Sequence, residues 1–258
     1  MARAFWKGVI SFGMVAIPVR MSLATEKKTP SFHLLHKKCL TRPKQVLYCA
    51  ADDEYFSIKE TVRGYEYTKD QFVVLTENDF EKVPVRTSHA IDILTFVEEK
   101  EIPHLYFSDS HYLEPEELGA KPFRLLRETL LKTQRLGIAK VSFQRREHLA
   151  CLRPLDGTML LQTMHFADEI LPAPVVPEAT FTQKELDMAT ALVKVMAKPF
   201  KPEDYADEYQ KGLEKVIEAK LKGQKITAPK APKVEVGDIM AALRASISAA
   251  SKEPAGVR

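Results

Sequence analysis

Short apolar runs separated by polar turns dominate the first two thirds of the chain and predict a β-rich fold. The longest run, residues 9–21, is rich in β-branched and aromatic side chains, which favour strands. Gly13 predicts a bulge or bend within it, and Pro18, which has no amide hydrogen to donate, indicates an edge strand. Many short strands with polar turns are typical of a barrel or a sandwich. The other predicted strands are Ser31–His36, Gln45–Cys49, Gln71–Leu75, Ala90–Val97, Leu105–Leu113, Ile138–Phe143, Leu149–Leu152 and Met159–Phe166.

One helical segment, from about Ala120 to Leu136, interrupts these strands. Phe123, Leu126 and Leu130 recur at helical spacing, so their face is expected to lie against the core. The opposite face is basic within about 80° of arc, and it carries Lys121, Arg124, Lys132 and Arg135. Such a face is either simply solvated or binds a polyanion. The second interpretation is favoured because more basic residues follow at once: Lys140, Arg145, Arg146 and Arg153.

The last third of the chain changes from strands to helices. Residues 171–177 are rich in proline and form a stiff linker that cannot continue a sheet. One amphipathic helix is predicted from a cap at Thr182 through Lys198, and a second from Pro202 to about Leu221. Together they form an arm that either folds back on its own barrel or embraces another chain.

After Gly223 the composition becomes that of a basic, extended linker rich in proline and lysine. Beyond the linker, Asp238 is placed to cap a short helix with one apolar stripe. The stripe consists of Val236, Ile239, Met240, Leu243 and Ile247. A helix of this length is marginal in water by itself, so it is expected to dock either on its own core or on a partner.

Charge along the chain is arranged in blocks of alternating sign. Residues 1–50 carry a net charge of +8, residues 51–120 carry −11, and residues 121–153 carry +7. Residues 154–210 then carry −6 and residues 211–258 carry +5, which leaves only +3 for the whole chain. Blocks of this kind predict separate basic and acidic faces, and a basic face attracts polyanions without reading their sequence. Folding could equally mix the blocks into an ordinary solvated surface.

Length and composition set the remaining bounds. The 258 residues, of which 45% are hydrophobic, suffice for one large domain or for one domain with an appendage. Three irregularly spaced cysteines do not make a disulfide framework, which predicts a reducing cytoplasm. No stretch approaches the roughly 18 apolar residues of a membrane-spanning helix, so no membrane partner is expected.

The sequence contains no phosphate-binding glycine loop, dinucleotide fingerprint or nucleophile elbow. No enzymatic activity and no cofactor are therefore predicted. His33, His36, Cys39 and Cys49 superficially resemble a zinc-binding set. No metal site is predicted from them, because His33 and His36 would point to opposite faces of a strand.

Several long motifs, ordered along the chain, resemble those of the bacterial Ku proteins. The resemblance covers nearly all of residues 3–222. The motifs lie at residues 3–20 (RAFWKGVISFGMVAIPVR), 32–39 (FHLLHKKC), 63–67 (RGYEY), 72–76 (FVVLT), 103–113, 146–154 (REHLACLRP) and 166–170 (FADEI).

This resemblance implies an α+β, β-rich fold, with a Ku-type antiparallel β-barrel core, a ring-forming bridge and a helical C-terminal arm. The expected divisions are residues 1–175 for the barrel and the DNA-encircling bridge, 176–222 for a dimerisation arm, and 223–258 for a ligase-recruiting tail. Two copies would form a ring that binds double-stranded DNA ends and recruits an ATP-dependent DNA ligase in non-homologous end joining. Such a protein has no catalytic cycle of its own and is expected in the cytoplasm, associated with the nucleoid.

With the charge pattern, the resemblance predicts which residues contact DNA phosphates. The predicted contacts are Lys37, Lys38, Arg42, Lys44, Lys121, Arg124, Lys132, Arg135, Arg145 and Arg146. Two features depart from the family pattern. Cys49 is followed by Ala50, Ala51 and Asp52, so the second cysteine of a C-x-x-C is missing, and a metal role is not carried over. Some members carry a long Lys-rich tail, whereas only Lys252 and Arg258 are basic after Arg244 here, so DNA bridging or sliding driven by such a tail is not expected.

Two alternatives remain open. One is a monomeric single-strand nucleic-acid binder of oligonucleotide-fold type, in which basic grooves alternate with stacking aromatic side chains. Few aromatic residues lie between the charges of the two basic blocks, which counts against it. The other, less favoured, is a metal-dependent DNA-processing enzyme that uses the acidic block 51–120.

Overall fold

A computed structural model describes residues 3–83, 89–144, 146–224 and 239–250. Contacts between residues divide the chain into two units, residues 1–172 and residues 173–258. The strands of the first unit are β1 (Trp6–Phe12), β2 (Val15–Leu23), β3 (Leu47–Cys49), β4 (Glu54–Phe56), β5 (Arg63–Thr68), β6 (Gln71–Leu75), β7 (Ala90–Glu98), β8 (Phe107–Pro115), β9 (Arg135–Phe143), β10 (Arg146–Leu155) and β11 (Thr158–Met164). The helices are α1 (Glu77–Glu81), α2 (Ala120–Thr133), α3 (Gln183–Met196), α4 (Glu208–Leu221) and α5 (Ile239–Ala250).

Seven of the strands close into a barrel in the order β1-β2-β8-β11-β10-β9-β7. Neighbouring strands run antiparallel, except that β1 and β7 pair in parallel at the point of closure. The predicted β-rich α+β fold with a barrel core is therefore confirmed. Closure leaves the barrel without a free sheet edge, which removes a common route to aggregation.

The core fills the barrel with apolar side chains from alternate positions of each strand. In β2, for example, Ile17, Val19 and Met21 are fully or almost fully buried, as the two-residue period of a strand requires. Helix α2 adds Phe123, Leu126 and Leu130 to the same buried cluster. The prediction that this face of the helix lies against the core is thus confirmed. Each such side chain stabilises the fold by roughly 1.5–3 kcal/mol when it is fully buried.

The N-terminal apolar segment forms two strands joined by a tight turn. Gly13 has a positive φ of +58°, and Phe12 pairs with Val15 across it. The prediction that Pro18 marks an edge strand is wrong, because β2 lies between β1 and β8. The Pro18 carbonyl accepts a hydrogen bond from the Glu116 amide, just beyond the end of β8. Strand β8 does not extend opposite Pro18, so the amide hydrogen that proline lacks is not needed there to pair with a strand residue.

Two further boundaries differ from the predictions. Helix α2 ends at Thr133, because Gln134 adopts a left-handed conformation with φ of 52°. Arg135 consequently belongs to β9 and not to the basic helix face. The predicted strand Ser31–His36 is not formed, since this run has no partner strand and its apolar side chains are exposed. The argument from strand geometry against a metal site at His33 and His36 therefore does not apply.

Residues 24–83 leave the barrel between β2 and β7 and carry two small hairpins, β3–β4 and β5–β6. Strands β4 and β5 were not predicted. Their hydrophobic side chains are largely exposed, so they lack the alternation of buried and exposed positions that identifies a strand in a sequence. Helix α1 begins after Thr76, and the Thr76 amide and hydroxyl both donate hydrogen bonds to the Asp79 carboxylate.

The second unit is helical in its described part. Thr182 caps α3 as predicted, and Glu185 completes the cap by accepting the Thr182 amide hydrogen. The second predicted helix begins later than expected. Pro202 opens only a short 3₁₀ turn, and α4 starts after Asp207, whose carboxylate accepts from the Gln210 amide. Helix α5 packs against α3. No helix in the described residues is long and apolar enough to cross a membrane.

Replacing Gly8 with alanine should destabilise the barrel at its closure. An added Cβ would lie 2.3 Å from both the His89 carbonyl oxygen and the Trp6 ring. Relieving these clashes must shift backbone, so the free energy of unfolding should fall by about 1–3 kcal/mol or more. Urea unfolding followed by the fluorescence of Trp6, the chain's single tryptophan, measures the barrel alone.

Gly137→Ala is the matched control, since its Cβ would meet no atom closer than 3.5 Å. This variant should stay within about 1 kcal/mol of the parent chain. Equal stability of the Gly8 and Gly137 variants would contradict the account of closure.

Candidate nucleic-acid interface

The outer face of α2 carries three cations that no described carboxylate neutralises. Lys121, Arg124 and Lys132 are exposed, and none of them forms an ion pair within the described residues. The one acid of the helix, Glu128, is held by Arg127 at 2.5 Å. Arg127 is itself anchored on the barrel, because its Nε donates to the carbonyl of Leu155 at 2.7 Å. The charge of Glu128 is therefore cancelled locally, and a net positive face remains.

A second group of cations lies on a compact turn after β2. The turn is held by two backbone hydrogen bonds, from the His36 amide to the Thr41 carbonyl and from the Leu40 amide to the His36 carbonyl. Its predicted phosphate contacts are exposed and have no ion pair in the described part of the chain: Lys37, Lys38, Arg42 and Lys44. Helix α2 packs on β9 and β10. The two basic groups thus sit on separate structural elements.

Cys39 lies within this turn and accepts or shares hydrogen bonds with its neighbours. Its Sγ lies 2.9 Å from Thr41 Oγ1 and 3.0 Å from His36 Nδ1. The hydrogen bonds from Thr41, followed by that from His36, lower the pKa of the Cys39 thiol from 9.0 to about 7. Cys49 instead contacts the Asp52 carboxylate, at 3.1 Å. Across the described residues, no three His, Cys, Asp or Glu side chains are grouped to hold a metal ion.

The remaining predicted contacts are paired or lie outside the described residues. Arg135 in β9 lies 3.6 Å from the carboxylate of Glu98, and Arg146 pairs closely with Glu169. A hydrogen bond from the Phe166 amide, and then the one from Arg146, hold the pKa of Glu169 below its usual value. Arg145 lies outside the described residues. The basic block 121–153 therefore divides into an unneutralised helix face and strand residues whose charge is largely matched.

The same pairing extends to the neighbouring basic residues of the strands. Lys140 pairs with Glu147 at 2.7 Å, and Arg153 pairs with Glu99 at 2.5 Å while lying over the Phe107 ring. By their position in the sequence, Lys140 and Arg153 belong to the basic block 121–153. Register within the barrel brings acids beside them. Lys140 of β9 pairs with Leu149 of β10, which places Glu147 at a diagonal position on the adjacent strand.

One end of the barrel contains a cavity of about 710 Å³ that the sequence did not predict. Its walls come from the ends of β2, β8, β9, β10 and β11 and from the segments beside them. Four aromatic rings form a cluster there. Phe143 stacks on His148 with ring centres 4.1 Å apart, and His111 lies against both Phe5 and Phe143 at 5.6 Å.

Two histidines of this cluster, one buried and one half-buried, each have a buried ring nitrogen without a hydrogen-bond partner among the described residues. His111 is 4% exposed, and its Nδ1 has no hydrogen-bond partner among the described residues. The same holds for Nε2 of His148. Burial lowers the pKa of His111, and burial together with the Arg146 charge lowers that of His148. Both rings are therefore neutral at pH 7.

The predicted partner-binding stripe lies on α5, where only part of it is described. Val236 lies outside the described residues, as does the side chain of Ile239. Met240, Leu243 and Ile247 are half-buried, whereas Ala241 and Ala245 are exposed. The stripe thus has the predicted helical period, on a helix that packs against α3 of the same chain.

The fold and its charged surface define a β-barrel protein with an exposed, unneutralised basic helix. The chain matches the family model of the Ku70/Ku80 beta-barrel domain over residues 11–188. It is 41% identical over 264 residues to the Non-homologous end joining protein Ku of Solibacter usitatus, which covers 100% of this chain and 99% of that protein. The chain therefore belongs to the Ku family, which confirms the resemblance seen in its motifs.

Other relatives show how far this similarity extends. The protein of the same name from Archaeoglobus fulgidus is 38% identical over 96% of this chain and 99% of its own length. The one from Frankia casuarinae is 41% identical, but the present chain covers only 64% of that longer protein. Among solved structures, the SPOC domain of human PHD-finger protein 3 matches with a TM-score of 0.30 and 12% identity, covering 63% of this chain and 95% of that domain. A match this weak supports no conclusion about the fold or the function of this chain.

Lowering the pH from about 7 to about 5 should destabilise the barrel through His111 and His148. Their folded-state pKa values lie below the ordinary 6.5. In this window the unfolded chain binds protons that the folded barrel does not, so the free energy of unfolding falls as the pH falls. Above about pH 7 both states are neutral at these positions, and the effect is absent. Urea unfolding at several pH values measures this dependence.

His111→Phe keeps an aromatic ring in the cluster but cannot be protonated. Its stability should depend less steeply on pH in the same window. A parent chain whose stability does not change between about pH 7 and 5 would contradict the lowered pKa values of His111 and His148.

Proposed function

We propose that this chain binds the ends of double-stranded DNA, independently of base sequence, as a ring-shaped homodimer. In this role it protects the ends and recruits an ATP-dependent DNA ligase for the repair of double-strand breaks by non-homologous end joining. The end-joining role is supported by relatives that are named as proteins of non-homologous end joining and that match all or nearly all of this chain. Binding to DNA is supported chiefly by the outer face of α2, where three cations have no neutralising partner among the described residues.

Duplex DNA presents one negative charge about every 1.7 Å along its axis, so unneutralised lysines and arginines bind it by releasing condensed counterions. Contacts of this kind position a protein on the duplex but carry no sequence information. Lys121, Arg124 and Lys132 suit such contacts because no local carboxylate competes with phosphate for them. The turn that carries Lys37, Lys38, Arg42 and Lys44 supplies a second set. Specificity for ends then comes from ring topology, since a closed ring loads onto a duplex only at a terminus.

Assembly as a homodimer is supported by apolar surface that the described residues leave uncovered. In the second unit, Leu186, Val193 and Tyr209 are exposed on the helices of the arm. In the first unit, the aromatic side chains of the β3–β4 and β5–β6 hairpins are similarly exposed. Contiguous exposed apolar surface in a stable protein marks interaction sites. We expect a permanent interface of more than about 2,000 Å², as obligate homodimers bury, with residues 176–222 as the dimerisation arm.

Recruitment of the ligase is assigned to residues 223–258. A basic, proline-rich linker before α5 would let the helix search for a partner while raising its effective concentration near the DNA end. Helix α5 packs against α3 in this structure. Recruitment by the stripe therefore requires that α5 either detaches from α3 or binds the ligase through a surface that it shares with α3. The stripe then supplies apolar anchors at helical spacing, as helix-in-groove recognition uses.

Removing the three cations of α2 should weaken DNA binding equally for all sequences. The triple variant Lys121→Ala, Arg124→Ala, Lys132→Ala should lower the slope of log affinity against log salt by about three, one for each lost phosphate contact. Fluorescence anisotropy with a labelled blunt duplex, measured over a range of salt concentrations, gives both affinity and slope.

The control removes the same charge at exposed lysines that are not predicted to contact phosphate: Lys59, Lys69 and Lys198. This variant should retain most of the slope. An unchanged slope in the α2 variant, or an equal loss in the control, would show that the basic face of α2 does not contact DNA.

A chain that ends at Gly223 should still dimerise and bind duplex ends but should fail to stimulate its ligase. The double variant Ile239→Asp, Leu243→Asp should reproduce this defect, because charged side chains in the stripe cannot enter an apolar groove. Ala241→Asp with Ala245→Asp places the same charge on the exposed side of α5 and should leave stimulation intact. Ligation assays with the cognate ligase, together with sedimentation, separate these properties.

Full stimulation by the shortened chain would contradict the recruiting role of residues 223–258. Loss of end binding by that chain would instead place this segment in the DNA site.

A further inference from the structure

The cavity at the end of the barrel has no role in contacting the duplex backbone as proposed above, yet it has the features of a binding site. Its volume, about 710 Å³, lies within the range of pockets that hold small organic molecules. Phe5, which lines it, is 42% exposed although it lies beside a buried aromatic cluster. We propose that this cavity binds a single unpaired nucleotide at the terminus of the DNA, an inference that rests on the proposed function.

The aromatic wall fits a flat heterocycle. Phe5 lies with its ring centre 5.9 Å from that of Phe143, and Phe143 is stacked on His148. A nucleobase that entered beside Phe5 would extend this cluster by one ring. Stacking of a base on an aromatic side chain does not depend on which base it is, as a protein that binds ends of any sequence requires.

The polar groups of the cavity can donate to and accept from the edge of a base. His111 is buried, and its unpartnered Nδ1 belongs to a ring kept neutral by its surroundings. A neutral imidazole has one donor and one acceptor nitrogen, and the edges of bases offer both. Ser108, Ser110 and Thr163 add hydroxyl groups to the lining. An unpaired polar atom in a buried position costs free energy that a bound partner would recover.

The charges around the cavity fit one phosphate and not a polyphosphate. Arg3 and Lys27 line it and have no ion pair in the described part of the chain, whereas Arg146 is already held by Glu169. Glu26 and Asp109 also line the cavity, so its three acidic residues, with Glu169, balance its three basic ones. A nucleotide with a single phosphate meets this arrangement, while further phosphates would approach the carboxylates.

Position along the chain connects the cavity with the proposed DNA contacts. Lys27 precedes Lys37 by ten residues, so the two lie at most about 35 Å apart, the reach of an extended chain of that length. Arg146, which the sequence predicted as a phosphate contact, lines the cavity and pairs with Glu169. A terminus held by the basic turn is therefore within reach of the cavity, and the DNA terminus is favoured over a free nucleotide as the source of the ligand.

The test compares a blunt duplex with the same duplex carrying a one-nucleotide 3′ overhang of 2-aminopurine, whose fluorescence changes when it stacks. The full-length chain should bind the overhang about fivefold or more tightly than the blunt end, near the lower limit for stacking one base. Phe5→Ala and Lys27→Ala should each abolish most of this preference and the fluorescence change, while blunt-end affinity stays unchanged.

Two matched controls lie close by in the sequence. Phe12 is 41% exposed, and Lys28 follows Lys27, but neither lines the cavity. Phe12→Ala and Lys28→Ala should keep the preference for the overhang. No preference in the parent chain, or the same loss in the control variants, would overturn the proposal.

A second measurement distinguishes the source of the nucleotide and the failure of the proposed function. Deoxyadenosine monophosphate is titrated into the full chain labelled with ¹⁵N-histidine, and the ring resonances of His111 and His148 are followed. The proposal is supported if the parent chain prefers the overhang and if the nucleotide causes chemical-shift changes that are lost in Phe5→Ala. Shifts without that preference would assign the cavity to a free nucleotide and overturn the DNA-terminus assignment. If blunt ends are not bound at all, the proposed function fails. An absence of chemical-shift changes at the two histidines would then reject the nucleotide site independently.

Discussion

The barrel closes where β1 pairs in parallel with β7, and the position of every proposed contact surface on the barrel depends on this pairing. The Val9 amide donates to the His89 carbonyl at 2.9 Å, and Gly8 allows that carbonyl and the Trp6 ring to approach. Trp6 is 8% exposed and donates from Nε1 to the Ser142 carbonyl at 3.2 Å. One side chain thus joins β1 to β9 beside the seam. If β1 were to detach, the core would open to water and α2 would lose part of the surface that supports it.

Local ion pairing decides which of the many basic residues remain available for a polyanion. The strands of the barrel bring Lys140, Arg146 and Arg153 beside carboxylates. On α2, Arg127 neutralises Glu128, the one acid of that helix, by pairing with it. Exposed ion pairs stabilise a fold little, so their main effect here is on the distribution of charge. The result is a basic helix on a barrel whose strand cations are largely matched.

Much of this fold could be predicted from the sequence, because local patterns encode it. The buried face of α2 follows from the period of Phe123, Leu126 and Leu130, and the caps at Thr76 and Thr182 follow from residue types that accept or donate to helix ends. Family membership was evident from long ordered motifs.

Other features depend on contacts between distant segments and could not be predicted in this way. The pairing of Arg146 with Glu169 and of Arg153 with Glu99 follows from tertiary structure, so the sequence overcounted the available cations. Pro18 resembled an edge residue because nothing nearby shows that β8 ends beside it. The cavity combines the ends of five strands, and its histidines carry no local signal that they are buried.

We propose that this chain encloses duplex DNA and therefore needs an end to load. Competition binding tests this directly: a labelled linear duplex is displaced by unlabelled DNA of the same sequence in three forms, namely linear duplex, covalently closed circle and single strand. Linear duplex should compete fully, while the closed circle and the single strand should compete only weakly, and added salt should remove their competition. Equal competition by the closed circle would contradict a ring that loads at ends, and stronger competition by the single strand would favour a monomeric single-strand binder.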